Sequence, residues 1–227
     1  MFFLETVIGI LAPPECLSCF SEGSLLCENC VSQKVVPYGR HCWSCGTLSQ
    51  DNRTCQKCRK TGSPSRVWVS TNYDGVAKDL LRAYKFSQQR PAAEALARIM
   101  SSTFHQYSQG AVNYLIVPVP TATGRVRERG FDHAALLARQ VAKDLGLPVS
   151  RPLGRLGQSR QVGAKRPQRQ IQMADKIWVK NRGAVAGQQI LLIDDVVTTG
   201  ATLKEASKVL RQVGATRVDA LIFAKRL

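Results

Sequence analysis

The chain has 227 residues, of which 44% are hydrophobic and 21% charged, so its composition is that of a globular protein and argues against a coiled coil or a disordered tail. Lysine and arginine total 32 against 16 acidic residues, which gives a formal net charge of +16. Residues 121–189 hold 14 basic and 4 acidic side chains, a net +10. This uneven distribution predicts a surface for phosphates better than it predicts a generally basic surface kept for solubility.

The first residues of the chain are apolar, but too few of them follow one another to cross a bilayer, which takes about 18. Residues 1–14 lack the basic start of a signal peptide and contain Glu5. We therefore predict a short helix there that packs on the body of the protein, no membrane span, and a cytoplasmic protein.

All eight cysteines lie in the first 58 residues and form four CxxC pairs. A two-residue spacer lets both thiolates bind one metal ion, and two such pairs complete a tetrahedral zinc site. A disulfide framework would need an oxidising compartment, for which the sequence has no signal. The sequence predicts a double zinc-ribbon module over residues 1–62 with two structural Zn²⁺ sites. The predicted ligands are Cys16, Cys19, Cys27, Cys30, Cys42, Cys45, Cys55 and Cys58.

Two ways of sharing these ligands are compatible with the spacing. Pairing in chain order would give one site to the first two CxxC pairs and the other to the last two. The gaps of 7 and 9 residues within each such site suit a short ribbon, and we favour this arrangement. The interleaved arrangement, first pair with third and second with fourth, stays open.

Beyond a breaker cluster at 61–65, apolar strands alternate with amphipathic helices. This pattern predicts a largely parallel sheet flanked by helices, an α/β domain over residues 66–227. Ligands of such sheets bind beyond the carboxyl ends of the strands, which directs attention to the loops 118–130 and 194–202. The predicted strands are 66–73, 114–120, 189–197 and 217–224, and the predicted helices are 75–86, 91–104, 131–145 and 202–213.

The segment 190–203 carries the clearest functional signal. An apolar strand ends in Asp194 and Asp195, and a run of small residues then leads into a helix. Backbone N–H groups in such a turn can surround a phosphate at the helix N-terminus, while the paired carboxylates suit sugar hydroxyls or a magnesium-bound group. Thr202 and Glu205 also predict a capping box. The predicted phosphate-binding residues are Thr198, Thr199, Gly200, Ala201 and Thr202.

This segment resembles the phosphoribosyl pyrophosphate (PRPP) fingerprint of type I phosphoribosyltransferases. Together with ValProValPro at 117–120, ArgGlyPhe at 129–131 and the four cysteine pairs, it resembles the ComF-type family of competence and DNA-utilisation proteins. The chain differs from that family's usual residues at Asp132, His133 and Gln172, and we assign no role to these three.

The resemblance implies a type I phosphoribosyltransferase fold that binds PRPP together with Mg²⁺. It implies that Asp194 and Asp195 contact the ribose hydroxyls at the catalytic centre and that residues 198–202 hold the 5-phosphate. Arg125 and Arg129 are predicted on the pyrophosphate side. The stretch 155–169 has 5 basic residues, no acidic residue and no aromatic one, so it predicts a basic flap that contacts phosphates rather than bases.

Three functions remain open from the sequence: a phosphoribosyltransferase with an unknown acceptor, a non-catalytic ligand sensor that serves DNA use, and an accessory module that binds single-stranded DNA. The sequence points to no protein partner and to no residue that selects an acceptor base.

Overall fold

A parallel sheet lies at the centre of the computed structural model of the chain, which describes residues 13–60, 62–86, 90–108, 113–121, 124, 126, 131–155 and 177–226. The described strands are β1 (Val67–Asn72), β2 (Tyr114–Pro118), β3 (Leu153–Arg155), β4 (Ile177–Val179), β5 (Gln189–Val197) and β6 (Arg217–Lys225). Four of them form the sheet in the order β1-β6-β5-β2, with every pairing parallel. Strands β3 and β4 pair with each other, antiparallel, in a separate two-stranded sheet.

Helices cover both faces of the four-stranded sheet. Helix α1 (Glu28–Lys34) belongs to the cysteine-rich segment, and the helices on the sheet are α2 (Gly75–Phe86), α3 (Arg90–Tyr107), α4 (His133–Leu145) and α5 (Ala201–Gln212). Residues of α2, α3 and α4 share one hydrophobic core with Leu191 and Ile193 of β5, whereas α5 shares the other with Ile190 and Leu192. Alternate residues of this strand thus point to opposite faces, and both faces are buried. The predicted parallel sheet with flanking helices is confirmed.

Helix α4 shows how local sequence sets an element's limits. Asp132 caps its start by accepting a hydrogen bond from the N–H of Ala135 at 3.3 Å. Gly146 ends it in the left-handed region with φ +65°, where a residue without a Cβ is favoured. Asp132 therefore has a structural role at a position where the sequence departs from the family's usual residue.

Hydrogen bonds from backbone and side-chain groups join the cysteine-rich segment to the sheet. The N–H of Tyr38 donates to the carbonyl of Ser70 in β1 at 3.1 Å, and the hydroxyl of Thr71 donates to the carbonyl of Val36 at 2.7 Å. Ser65 connects both parts, since its N–H donates to Val218 at 2.8 Å and its carbonyl accepts from Thr54 at 3.0 Å. The division of the chain near residues 62–66 stays a prediction.

Several expectations fall on residues outside the described ranges. The helix predicted within residues 1–14 is one, and all of the predicted flap after Arg155 is another. Within the described ranges, no helix has the combination of length and apolar composition that crossing a membrane requires.

Candidate functional site

The candidate site lies at the carboxyl edge of the sheet, where β5 ends and α5 begins. Parallel pairing sets Ile193 of β5 beside Pro118 of β2 on one side and Leu221 of β6 on the other. Asp194 and Asp195 follow directly in β5, just beyond the end of β2 and still beside β6, which pairs with β5 up to Lys225. The sheet therefore places the two acids where a ligand of an α/β fold is expected.

The two adjacent carboxylates have different surroundings. Asp195 forms an ion pair with Lys85, at 2.7 Å between Nζ and Oδ2. Asp194 accepts a hydrogen bond from the backbone N–H of Asp195 at 2.9 Å. Burial, followed by the neighbouring Asp195 carboxylate, raises the pKa of Asp194 to about 8, although the Asp195 N–H, Lys85 and Arg155 act in the opposite direction. The pair therefore favours a ligand that adds positive charge or hydroxyl donors beside Asp194.

Tyr84 of α2 and His133 of α4 fix the backbone around Lys85. Tyr84 donates its hydroxyl hydrogen bond to the carbonyl of His133, and the His133 ring lies 3.2 Å from the carbonyl of Lys85 through Nε2. His133 is only 3% exposed, and its ring stacks at 4.1 Å between centroids on that of Phe131. The sequence predicted no role for Lys85 or His133, because the contact that links them to Asp195 joins distant parts of the chain.

The loop after β5 leaves the start of α5 open to solvent. Thr198 and Thr199 are exposed, and Lys225 donates from Nζ to the carbonyl of Thr198 at 2.7 Å. The predicted capping box at Thr202 is wrong, since α5 begins at Ala201 with Gly200 as its N-cap and without a side-chain cap. The N–H of Ala201 donates to the hydroxyl of Thr199 at 3.4 Å. N–H groups at such an end are available to an anion.

Two features of position 200 favour glycine: the backbone conformation and the close contact with Trp43. Only the first can be expected from the local sequence. Its φ is +73°, a left-handed conformation that disfavours residues with a Cβ. A Cβ at this position would also lie 2.1 Å from the indole of Trp43. Trp43 is fully buried, and its Nε1 donates to the hydroxyl of Thr54 at 3.0 Å. Trp43, which follows Cys42 in the cysteine-rich segment, thus packs against the loop at Gly200.

The cysteines gather into two groups in chain order, not in the interleaved arrangement. Within each group the four sulfur atoms lie within 4.8 Å of one another, so each could hold one metal ion. The groups are Cys16, Cys19, Cys27 and Cys30, and Cys42, Cys45, Cys55 and Cys58.

Lowered thiol pKa values at Cys16 and Cys19 in the first group and at Cys45 in the second favour the ionised form that metal binding requires. The hydroxyl of Thr47, 3.1 Å away, and the Thr47 N–H lower the pKa of Cys45 to about 6. Burial opposes ionisation of Cys16, but N–H donors of Cys27, Cys19 and Ser18 outweigh it and lower that pKa to about 6. Four sulfurs at this separation fit a tetrahedral thiolate site for zinc.

A cavity of about 390 Å³ lies at the end of β2, next to the strand that carries the paired carboxylates. Pro118 and Pro120 line it, and Arg155, also in the lining, donates to the carbonyl of Pro120 at 3.4 Å. Trp178 of β4 lines it too, 37% exposed, with its ring packed over Gly154. The sequence did not identify Trp178, because the pairing of β3 with β4 brings it to the cavity.

Two predicted site residues, Arg125 and Arg129, lie outside the described residues. All the other predicted positions at 194–202 lie together along the end of β5, the loop and the first turn of α5.

Several known proteins resemble this chain over most of its length. The model of the phosphoribosyl transferase domain matches residues 126–227. The competence protein ComFC of Bacillus subtilis is 30% identical over 83% of this chain and 79% of its own length. The chain belongs to the ComF family. Another ComF relative, competence protein F of Haemophilus influenzae, is 29% identical over 86% of this chain and 87% of its own. The DNA utilization protein YhgH of Salmonella typhimurium is 26% identical over 89% of each.

Proposed function

We propose that the segment from Asp194 to Thr202 binds PRPP. The supporting observation is the juxtaposition of two adjacent carboxylates with the uncapped N-terminus of α5 at one strand end. N–H groups of the first turn and the hydroxyls of Thr198 and Thr199 hold the 5-phosphate. The carboxylates of Asp194 and Asp195 accept hydrogen bonds from the ribose hydroxyls.

The pyrophosphate part of the ligand requires positive charge. Mg²⁺ would supply Lewis-acid stabilisation of the pyrophosphate leaving group. Arg125 and Arg129 are proposed as further contacts on this side. Lys85 pairs with Asp195 at 2.7 Å, and we propose that its ammonium group turns toward the incoming anion when the ribose hydroxyls bind that carboxylate.

We propose that the reaction is phosphoribosyl transfer and that the acceptor occupies the cavity lined by Pro118, Pro120 and Trp178. Trp178, which is 37% exposed, offers an indole for stacking against a planar ring, and Thr121 also lines the cavity. The sequence had left the acceptor without any contact residue, and this cavity supplies a candidate. A flat heterocycle is therefore the class of acceptor that the cavity suits.

The biological role proposed for this reaction is the use of DNA. The relatives named above are competence and DNA utilization proteins, and the match extends over most of each chain. We also propose that the ions in the two cysteine groups are Zn²⁺ and that they act as structural metals, because each group supplies four thiolates to its ion.

The test measures pyrophosphate release from PRPP and Mg²⁺ with a panel of purine and pyrimidine acceptors. Wild type is compared with an Asp194→Asn, Asp195→Asn variant. The matched control is Asp79→Asn with Asp144→Asn, which neutralises two exposed acids on α2 and α4. Turnover abolished in the first variant and retained in the control supports the transferase.

Two other outcomes have distinct meanings. PRPP binding without turnover for any acceptor would contradict transfer and favour a ligand sensor. No PRPP binding by the wild type would refute the proposed function altogether.

A further inference from the structure

Five arginine side chains line a second cavity at the opposite end of the sheet. It has a volume of about 310 Å³, and its remaining lining is Ser63, Pro64 and Ser65. The arginines are Arg53, Arg59, Arg66, Arg211 and Arg217. We name this feature the arginine pocket.

The arginine pocket is assembled from three parts of the fold. Arg53 and Arg59 come from the second cysteine group, and Arg66 immediately precedes β1. Arg211 lies in the last turn of α5 and Arg217 opens β6. The pocket forms only when the second cysteine group docks beside the sheet, because the cysteine-rich segment and the α/β domain each supply some of its arginines.

The pocket is remote from the PRPP site. β6 runs from Arg217 at the pocket to Lys225, whose Nζ contacts the loop at Thr198. At about 3.3 Å per residue, the eight steps between them separate the two ends by roughly 26 Å. A ligand in the arginine pocket is therefore distinct from the ligand of Asp194 and Asp195.

Carboxylates balance only part of the charge in the pocket. Asp219, fully buried, accepts from Arg217 Nε at 2.6 Å, from the backbone N–H of Arg66 at 2.8 Å and from the hydroxyl of Tyr114. Asp51 lies 3.8 Å from Arg66. The pocket therefore has five guanidinium groups and two neighbouring carboxylates. One of these carboxylates, Asp219, already accepts three hydrogen bonds.

The unbalanced guanidinium groups are free to bind an anion. Among the described residues, none of Arg53, Arg59 and Arg211 has a carboxylate within ion-pair distance. Arg211 donates only to the hydroxyl of Ser65 at 3.0 Å, and Arg59 reaches the carbonyl of Thr54 at 3.4 Å. The Nε of Arg66 is buried without a hydrogen-bond partner. An unsatisfied buried donor beside unpaired cations is the environment that an oxyanion would complete.

We infer that the arginine pocket binds phosphate groups at a site separate from the PRPP loop. Guanidinium forks match phosphate oxygens in pairs, and the lining contains no aromatic ring on which a base could stack. The recognised chemistry is thus the phosphate itself, independent of any base. Its two sources are a free polyphosphate anion and the backbone of a nucleic acid.

The test compares two variants that lose the same charge. Arg53→Gln, Arg59→Gln and Arg211→Gln together remove the unpaired arginines of the pocket. The matched control, Arg139→Gln, Lys143→Gln and Arg182→Gln, removes three exposed basic side chains outside the pocket. Circular dichroism and the thermal midpoint establish that both variants are folded.

Two probes distinguish the sources of phosphate. A labelled abasic oligodeoxynucleotide is titrated by fluorescence anisotropy, and inorganic tripolyphosphate is titrated by calorimetry. We expect the pocket variant to bind at least one probe about tenfold or more weakly, since charged hydrogen bonds are lost, while the control changes less than about twofold. For the oligonucleotide, the salt dependence should also fall by a slope of about 2, from three lost contacts.

The pattern across probes assigns the ligand. A loss for tripolyphosphate alone identifies a free anion, a loss for the oligonucleotide alone identifies the nucleic-acid backbone, and a loss for both identifies a phosphate site that accepts either. Equal weakening by the pocket variant and the control would overturn the inference, as would failure of the wild type to bind either probe. PRPP binding by the pocket variant should equal that of wild type, because the loop is untouched.

Discussion

Replacing Gly200 by alanine tests whether Trp43 supports the phosphate loop. The new Cβ would lie 2.1 Å from Trp43 Cζ3 and 2.4 Å from Cη2, far inside van der Waals contact. The backbone of the new alanine would also remain at φ +73°, which costs an L-residue roughly 1–2 kcal/mol. Forcing the buried indole aside adds the usual cost of overpacking, about 1–3 kcal/mol.

The matched control is Gly187→Ala. Gly187 has φ +75°, close to that of Gly200, but a Cβ there would meet no atom within 4 Å. The control therefore carries the backbone strain without the collision. For a chain of this length, about 1 kcal/mol lowers the thermal midpoint by roughly 2–4 °C. Gly200→Ala should thus melt roughly 2–12 °C below Gly187→Ala.

A second substitution separates the collision from other effects at Gly200. Trp43→Phe removes the outer ring atoms that the Cβ would strike. In the Trp43→Phe background, Gly200→Ala should cost close to what Gly187→Ala costs. The midpoints are measured by scanning calorimetry with zinc-loaded protein. Equal midpoints for Gly200→Ala and Gly187→Ala in the wild-type background would refute the proposed support by Trp43.

Three further predictions concern the acids and the metals. The pKa of Asp194 is raised in the folded state, so the free energy of unfolding of the wild type should fall as pH rises from about 4 toward 8. Asp194→Asn should remove this pH dependence and stabilise the protein at high pH, by about 1.4 kcal/mol for each tenfold difference in the acid constant of Asp194 between the folded and unfolded states. Urea unfolding of both proteins at pH 5 and pH 8 would measure this difference. Metal analysis should find two zinc ions per chain, and a chelator should lower the thermal midpoint; one ion would mean that half of the cysteines have another role. Lys85→Met leaves Asp195 without its 2.7 Å partner, so PRPP affinity at low Mg²⁺ should change while the Lys78→Met control does not, as calorimetric titration would measure.

Sequence was sufficient where a function depends on neighbours along the chain. The pattern of apolar residues before Asp194 predicted a buried strand, and the CxxC spacing predicted two groups of four thiols. Each of these signals is local, because the spacing itself carries the geometry. The short helix α1 and strands β3 and β4 were missed, since elements of 7 and 3 residues carry too little periodicity to be recognised.

Sequence was insufficient where the site depends on contacts between distant segments. A glycine in a phosphate loop predicts a close approach by the ligand, yet Gly200 is also contacted by Trp43 from the cysteine-rich segment. The capping box failed for a related reason. Gly200, in the left-handed conformation, is the N-cap, and the helix begins at Ala201. Thr202 therefore lies inside the first turn and cannot cap the helix.

Charge counted along the chain gives the least complete description of where phosphates bind. The net +10 of residues 121–189 directed attention to that stretch, whereas the arginine pocket draws on residues 1–66 and 190–227, each of net +2. Folding concentrates charge there because docking sets Arg53 and Arg59 beside the ends of α5 and β6, while Asp219 is buried beneath them. An electrostatic site is a property of local balance in three dimensions, so a segment with little excess charge can contain a strong one.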